Sequence, residues 1–88
     1  MQEATLKIVN KLGMHARAAA LFVKLANKYE SSLKVIKNDQ EVDGKSIMGL
    51  LTLAAEQGSC IKIITEGRDE KELADSLSVL VRNKFNEE

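Results

Sequence analysis

What most restricts this chain is how often its hydrophobic period changes within 88 residues. Residues 3–9 alternate, with Ala4, Leu6 and Ile8 on one side and Glu3, Thr5 and Lys7 on the other, which is the period of a half-buried strand. From Ala16 the period becomes helical. Ala18, Leu21, Phe22, Leu25, Ala26 and Tyr29 form one stripe, the alanines favour helix intrinsically, and the helix is expected to end near Tyr29. Residues 33–37 and 40–42 return to strand character, separated by Asn38-Asp39, a pair that tolerates the left-handed backbone of a tight hairpin. Asp43-Gly44 is a further turn. Ser46 is then placed to cap a short helix carrying Ile47, Leu50 and Leu51, which Gly49 weakens. Gly58-Ser59 opens a fourth strand over residues 60–65. Asp69 with Glu72 resembles a capping box and starts a last helix whose stripe is Leu73, Leu77, Leu80, Val81 and Phe85.

The element order is therefore βαββαβα. Four strands and three helices with one apolar face each predict an α+β, two-layer domain, its helices on one side of an antiparallel sheet. Such a domain spans 1–88, without prolines, repeats or a low-complexity linker. A chain of this size buries about two-thirds of the surface it exposes when unfolded. Hydrophobic residues make up 44% and aromatic residues 3%, so the core must be aliphatic.

Thirteen basic residues balance thirteen acidic ones, whereas an electrostatic grip on nucleic acid needs a basic excess. Scarce aromatics also remove the stacking platforms of single-strand binders. One Cys and one His make no structural zinc site, and no metal or other cofactor is expected. Cys60, in an isoleucine-rich run, reads as a packed or partly covered strand thiol. The first residues lack an apolar signal-peptide core and no stretch approaches membrane-spanning length, so a cytoplasmic protein without membrane insertion is expected.

Fold class leaves function open, and the most informative segment is Gly13-Met14-His15-Ala16-Arg17. The only histidine stands where a loop becomes a helix. There the first backbone N–H groups lack intrahelical partners and the helix dipole adds partial positive charge. Both favour a neutral imidazole with a ring nitrogen free to attack phosphorus. The amides of Ala16 and Arg17 would hydrogen-bond a phosphoryl group on that ring, and the Arg17 guanidinium adds a charge-assisted contact. The same residues also suit a surface histidine or weak cap beside a solvated arginine, and residue types alone do not decide. Gly44-Lys45-Ser46 imitates the end of a phosphate-binding loop, but that loop needs a glycine at position 39, where Asp39 stands. Ser46 as a helix cap is compatible with modification, since a phosphate there adds about two negative charges at a helix start. Ile47 and Leu51 read as core. Met48 fits the stripe less well and suits an exposed, adaptable docking patch.

Three stretches, GMHARAAALFVKLA at 13–26, VDGKSIMGLLTLAAEQGSCIKI at 42–63 and EGRDEKELADSL at 66–77, resemble the HPr family, the histidine-containing phosphocarriers of the bacterial phosphoenolpyruvate:sugar phosphotransferase system. The likeness covers essentially the whole chain. It implies an open-faced β-sandwich of four antiparallel strands and three helices, and a stoichiometric carrier that is not itself an enzyme. It implies that His15 is phosphorylated on Nδ1 and that Arg17 assists transfer. Ser46 matches the serine that an HPr serine kinase/phosphorylase modifies in many bacteria. Ala16, Ala20, Leu21 and Lys24, with Ile47, Met48 and Leu51, resemble a partner-docking surface. The implied partners are enzyme I and EIIA-type acceptors, and the implied state is a monomer.

The family usually has proline after the arginine, and here the residue is Ala18. That departure leaves two branches open, the sugar-uptake carrier and a regulatory paralogue of the nitrogen-related branch. A reading of another class, an interaction module without phosphoryl chemistry, sits poorly with the retained His15 and Arg17. A small metal or RNA binder is disfavoured by ligand count and charge.

Overall fold

The computed structural model describes residues 1–87. Alternation along the chain becomes a sheet of four strands, β1 (Gln2–Lys7), β2 (Ser32–Lys37), β3 (Gln40–Asp43) and β4 (Cys60–Glu66), with spatial order β1-β4-β2-β3 and every pair antiparallel. Register brings the apolar positions to one face: Leu6 lies opposite Ile61, and Val35 lies opposite both Ile63 and Val42. These side chains are covered by helices α1 (Ala16–Ala26), α2 (Ile47–Thr52) and α3 (Glu70–Arg82), while Glu3, Thr5, Lys7, Lys34 and Lys62 face solvent on the other side. The expected α+β sandwich is the observed fold. Phe22 from α1 and Phe85 are the largest fully buried side chains, set among Ile8, Leu50, Ile61, Ile63, Leu73 and Leu77.

The hairpin between β2 and β3 turns through Asn38 and Asp39 with φ of 48° and 69°, the two left-handed residues that match the twist of flanking strands. Ser46 caps α2 as expected, its Oγ accepting a hydrogen bond from the Gly49 N–H at 3.0 Å.

Several local expectations are corrected. Helix α1 ends at Ala26, three residues before Tyr29, because the Lys28 and Tyr29 amides bond back to Leu25 and Ala26 and tighten the chain into a turn. Tyr29 still packs on the core, its hydroxyl 2.6 Å from Ser76 Oγ. The buried face of α1 is rotated toward Ala19 and Val23, leaving Leu21 and Leu25 half-buried at its margin, because α1 packs against both α2 and α3. Asp69 holds the N-cap position of α3 without capping it. Its carboxylate instead accepts hydrogen bonds from the Glu30 and Ser31 amides at 2.9 Å and from the Ser31 hydroxyl, which ties α3 to the loop before β2. Helix α3 stops at Arg82, and Phe85 reaches the core through a left-handed turn over Lys84–Asn86. Cys60 is exposed, not covered: as the first residue of β4, opposite Lys7, it falls on the solvent side of the alternation.

Candidate functional site

The site begins with a loop that two anchors hold. The Met14 N–H donates to the Ala55 carbonyl at 2.8 Å, and the Gly13 N–H donates to the Asn10 carbonyl at 3.1 Å. Gly13 has φ of +68°, and a Cβ there would lie 2.5 Å from the Ala55 carbonyl oxygen, so the loop approaches its neighbour as only glycine permits. This close approach delivers the chain to His15 at the start of α1.

His15 is the N-cap residue, extended at φ −83° and ψ 180°, and its carbonyl accepts the Ala19 N–H at 2.8 Å. Its side chain makes no cap hydrogen bond, in contrast to Ser46 on α2. The amides of Ala16 and Arg17 therefore have no partner among the described residues, and no acidic residue occupies the first turn to neutralise the helix dipole. The weak-cap reading of His15 is set aside by this geometry. The ring is neither buried nor fully free: its side chain is 27% exposed and its Nε2 meets Oε1 of Glu87. The second Glu87 oxygen accepts from Asn10 Nδ2 at 3.2 Å, and the same nitrogen donates to the Gly13 carbonyl at 2.8 Å. The hydrogen bond from His15, with a smaller one from Asn10, holds the Glu87 carboxyl below its ordinary value of 4.5.

Arg17 is exposed and has no ion pair or hydrogen bond among the described residues. Its guanidinium shares an open depression with Lys11, Leu12, His15 and Glu87. A histidine and two cations thus line one depression, next to a helix start whose first amides have no partner among the described residues, which is chemistry suited to a bound phosphoryl group.

The residues expected for docking are on the surface. On α1, Ala16, Ala20 and Lys24 follow at helical spacing and are exposed, with Leu21 half-buried beside them. On the neighbouring α2, Met48 is 71% exposed and Ile47 40% exposed, so Ile47 is not the core residue its stripe implied, and Leu51 is half-buried. Leu50 alone carries the burial of that helix, because a helix of six residues turns few side chains inward. Ala18 is fully buried in the first turn of α1.

Sequence reasoning missed four contributors. Leu12 is 67% exposed and lines the same depression as His15. Lys37 donates to the Leu53 and Ala54 carbonyls at 3.2 Å, holding the C-terminal end of α2. Glu87 and Asn10 complete the surroundings of His15. Asn10, a turn-forming residue three before Gly13, offered a signal. Glu87, 72 residues from His15, offered none.

A small antiparallel sandwich with an accessible histidine at the start of its first helix is the architecture of a phosphocarrier, and the comparisons agree. The family model described as the PTS HPr component phosphorylation site matches residues 2–83. The phosphocarrier protein HPr of Cupriavidus necator is 48% identical over 80 residues, covering 91% of this chain and 90% of that protein. The HPr of Neisseria meningitidis serogroup A is 45% identical over 87 residues, covering 99% and 98%. The crystal structure of HPr-C-His from Thermoanaerobacter tengcongensis superposes with a TM-score of 0.96 at 46% identity, covering 100% of this chain and 99% of that one. The chain belongs to the HPr family, the phosphocarrier proteins of the phosphotransferase system.

Proposed function

We propose that His15 is the residue that carries the phosphoryl group, received from phospho-enzyme I and donated to an EIIA-type acceptor. The observation that carries this reading is the exposed edge of the only histidine, beside amides and an arginine that have no partner among the described residues. In this reading Nδ1 attacks phosphorus, the amides of Ala16 and Arg17 receive the phosphoryl oxygens, and the Arg17 guanidinium offsets their charge. Transfer asks for alignment and charge stabilisation, so a rigid domain of this size, spanning 1–88 and working as a monomer in the cytoplasm, suffices as a stoichiometric carrier. Among the described residues no helix is long and apolar enough to cross a membrane.

Docking falls to the exposed rows on α1 (Ala16, Ala20, Lys24, with Leu21) and α2 (Ile47, Met48, with Leu51). Ser46 lies at the start of that second row, and phosphorylation there by an HPr serine kinase/phosphorylase would set negative charge on the docking face and slow transfer. Incubation with enzyme I and phosphoenolpyruvate should add one phosphoryl mass in an acid-labile phosphorus–nitrogen bond. His15→Ala should abolish the addition and keep the fold, and a labelled His15→Ala protein would refute the assignment. Competition between EIIA acceptors separates sugar uptake from the nitrogen-related branch, to which Ala18 in place of proline lends some support.

A further inference from the structure

Glu87 and Asn10 form a chain of contacts to His15 that the phosphocarrier reading does not by itself require. An ionised carboxylate only accepts hydrogen bonds, so the ring nitrogen facing Glu87 Oε1, Nε2, must be the one that bears hydrogen. In a neutral imidazole the lone pair then belongs to Nδ1. Nδ1 makes no hydrogen bond among the described residues, so that pair is available.

The carboxylate is itself positioned. Asn10 is fully buried, and the two hydrogens of its Nδ2 are divided between the Gly13 carbonyl at 2.8 Å and Glu87 Oε2 at 3.2 Å. The opposite amide orientation would set Oδ1 against two acceptors. The observed one leaves Oδ1 buried without a partner, a cost the loop bears to aim Nδ2 at Glu87. Because Glu87 is engaged by His15 and Asn10, it forms no ion pair with Arg17 or Lys11, which line the same depression and have no other ion-pair partner among the described residues.

We propose that Glu87, held by Asn10, is a positioning residue that fixes the Nε2–H tautomer of His15 and so makes Nδ1 the nucleophile. The proposal rests on the phosphocarrier reading and names how its nucleophile is selected. In the forward step the Nδ1 lone pair forms the new phosphorus–nitrogen bond while the donor's phosphorus–nitrogen bond breaks and its electron pair returns to the donor ring. The proton stays on Nε2 against Glu87, which offsets the positive charge the His15 ring acquires. In the return step the acceptor nucleophile attacks phosphorus and the bonding pair goes back to Nδ1. His15 then leaves as neutral imidazole instead of imidazolate, a far poorer leaving group.

The test uses the full chain with its ring nitrogens labelled with 15N, and because His15 is the only histidine its signals are unambiguous. At a pH where the ring is neutral, wild type should show a protonated Nε2 and an unprotonated Nδ1. Glu87→Gln keeps an acceptor oxygen and should preserve that pattern, whereas Glu87→Ala should move both nitrogens toward averaged values. With the protein as substrate of phosphoenolpyruvate-charged enzyme I, Glu87→Ala should lower kcat on the order of tenfold with KM unchanged, the loss typical of removing an orienting partner of a histidine ring. Glu87→Gln should recover most of it. Unchanged nitrogen shifts in Glu87→Ala overturn the proposal. So does faster uptake by Glu87→Ala, which would mark Glu87 as an occupant of the phosphoryl site. If wild type takes up no phosphoryl group, the carrier reading fails, while the nitrogen shifts still decide the role of Glu87 in the tautomer.

Discussion

Replacing Gly13 with alanine tests whether the loop ahead of His15 is set by close approach and not by sequence-local preference. Two penalties add. A non-glycine residue in the left-handed region costs about 1–2 kcal/mol, and Gly13 has φ of +68°. The new Cβ would also stand 2.5 Å from the Ala55 carbonyl oxygen, a backbone atom that cannot swing aside, so the 2.8 Å bond from Met14 N–H to that carbonyl must stretch or break. Losing it adds about 0.5–1.5 kcal/mol. Gly13→Ala should therefore destabilise by about 1.5–3.5 kcal/mol, a fall in Tm of about 6–28 °C for a domain of this size. Gly58 supplies the control. It has φ of +91°, and a Cβ there would meet nothing within 4 Å, so Gly58→Ala bears the backbone penalty alone. Urea unfolding of both variants isolates the clash as their difference. Equal losses would refute the close-approach argument, and an unaltered rate of phosphoryl uptake in Gly13→Ala would show that His15 does not depend on this anchor.

Three further outcomes follow from local geometry. Ser46→Ala removes the bond to the Gly49 N–H and should cost about 1 kcal/mol in urea unfolding; Ser46→Asp keeps a capping oxygen, yet should exchange phosphate more slowly because of its charge, and a wild-type rate would count against the docking role. Asp69 is held at about 2, below its ordinary value of 3.8, by the Ser31 hydroxyl and the Glu30 and Ser31 amides, so the unfolded chain binds the proton first as pH falls. Its contribution is complete above the ordinary value and is lost as pH drops toward about 2, so Asp69→Asn should flatten the acid limb of a stability–pH curve and leave the alkaline side unchanged. Ala18→Pro, in the first turn of α1, should stabilise by up to about 1 kcal/mol by restricting the unfolded chain; a loss would show that the space around this buried residue is already filled.

Strand positions and the sheet's buried face were legible because period-two alternation depends only on neighbours, as in Ala4, Leu6 and Ile8. The Asn38-Asp39 hairpin and the Ser46 cap were legible for the same reason: their chemistry is complete within four residues. Errors arose where a distant partner overrode a local rule. Asp69 has the residue type and position of a cap, but the loop before β2 offers its carboxylate three donors and wins it. Phe85 continues the stripe of α3, yet the chain leaves the helix at Arg82 and buries the ring through left-handed residues, of which Lys84 and Phe85 have no propensity for that region. Cys60 shows the limit of composition: an isoleucine-rich run implied burial, although alternation puts Cys60 on the face opposite Ile61 and Ile63.

The site divides along the same line. The proposed nucleophile His15, the first-turn amides and the Arg17 cation lie within three residues of one another, which is why the sequence exposed them. The orientation of the ring, by contrast, depends on Asn10 across the loop and on Glu87 from the far end of the fold. Overall charge misleads here as well. A net charge of zero argues against a nucleic-acid footprint, but it averages over the surface. Among the described residues, Lys11 and Arg17 beside His15 have no ion-pair partner, and Glu87, the one carboxylate of these that lines the depression, is engaged through the ring itself. A protein of zero net charge thereby gathers two cations against one carboxylate among the described residues of that depression, as the proposed phosphoryl site requires, and the packing of Ala19, Phe22 and Val23 holds the helix that bears it in register with the sheet.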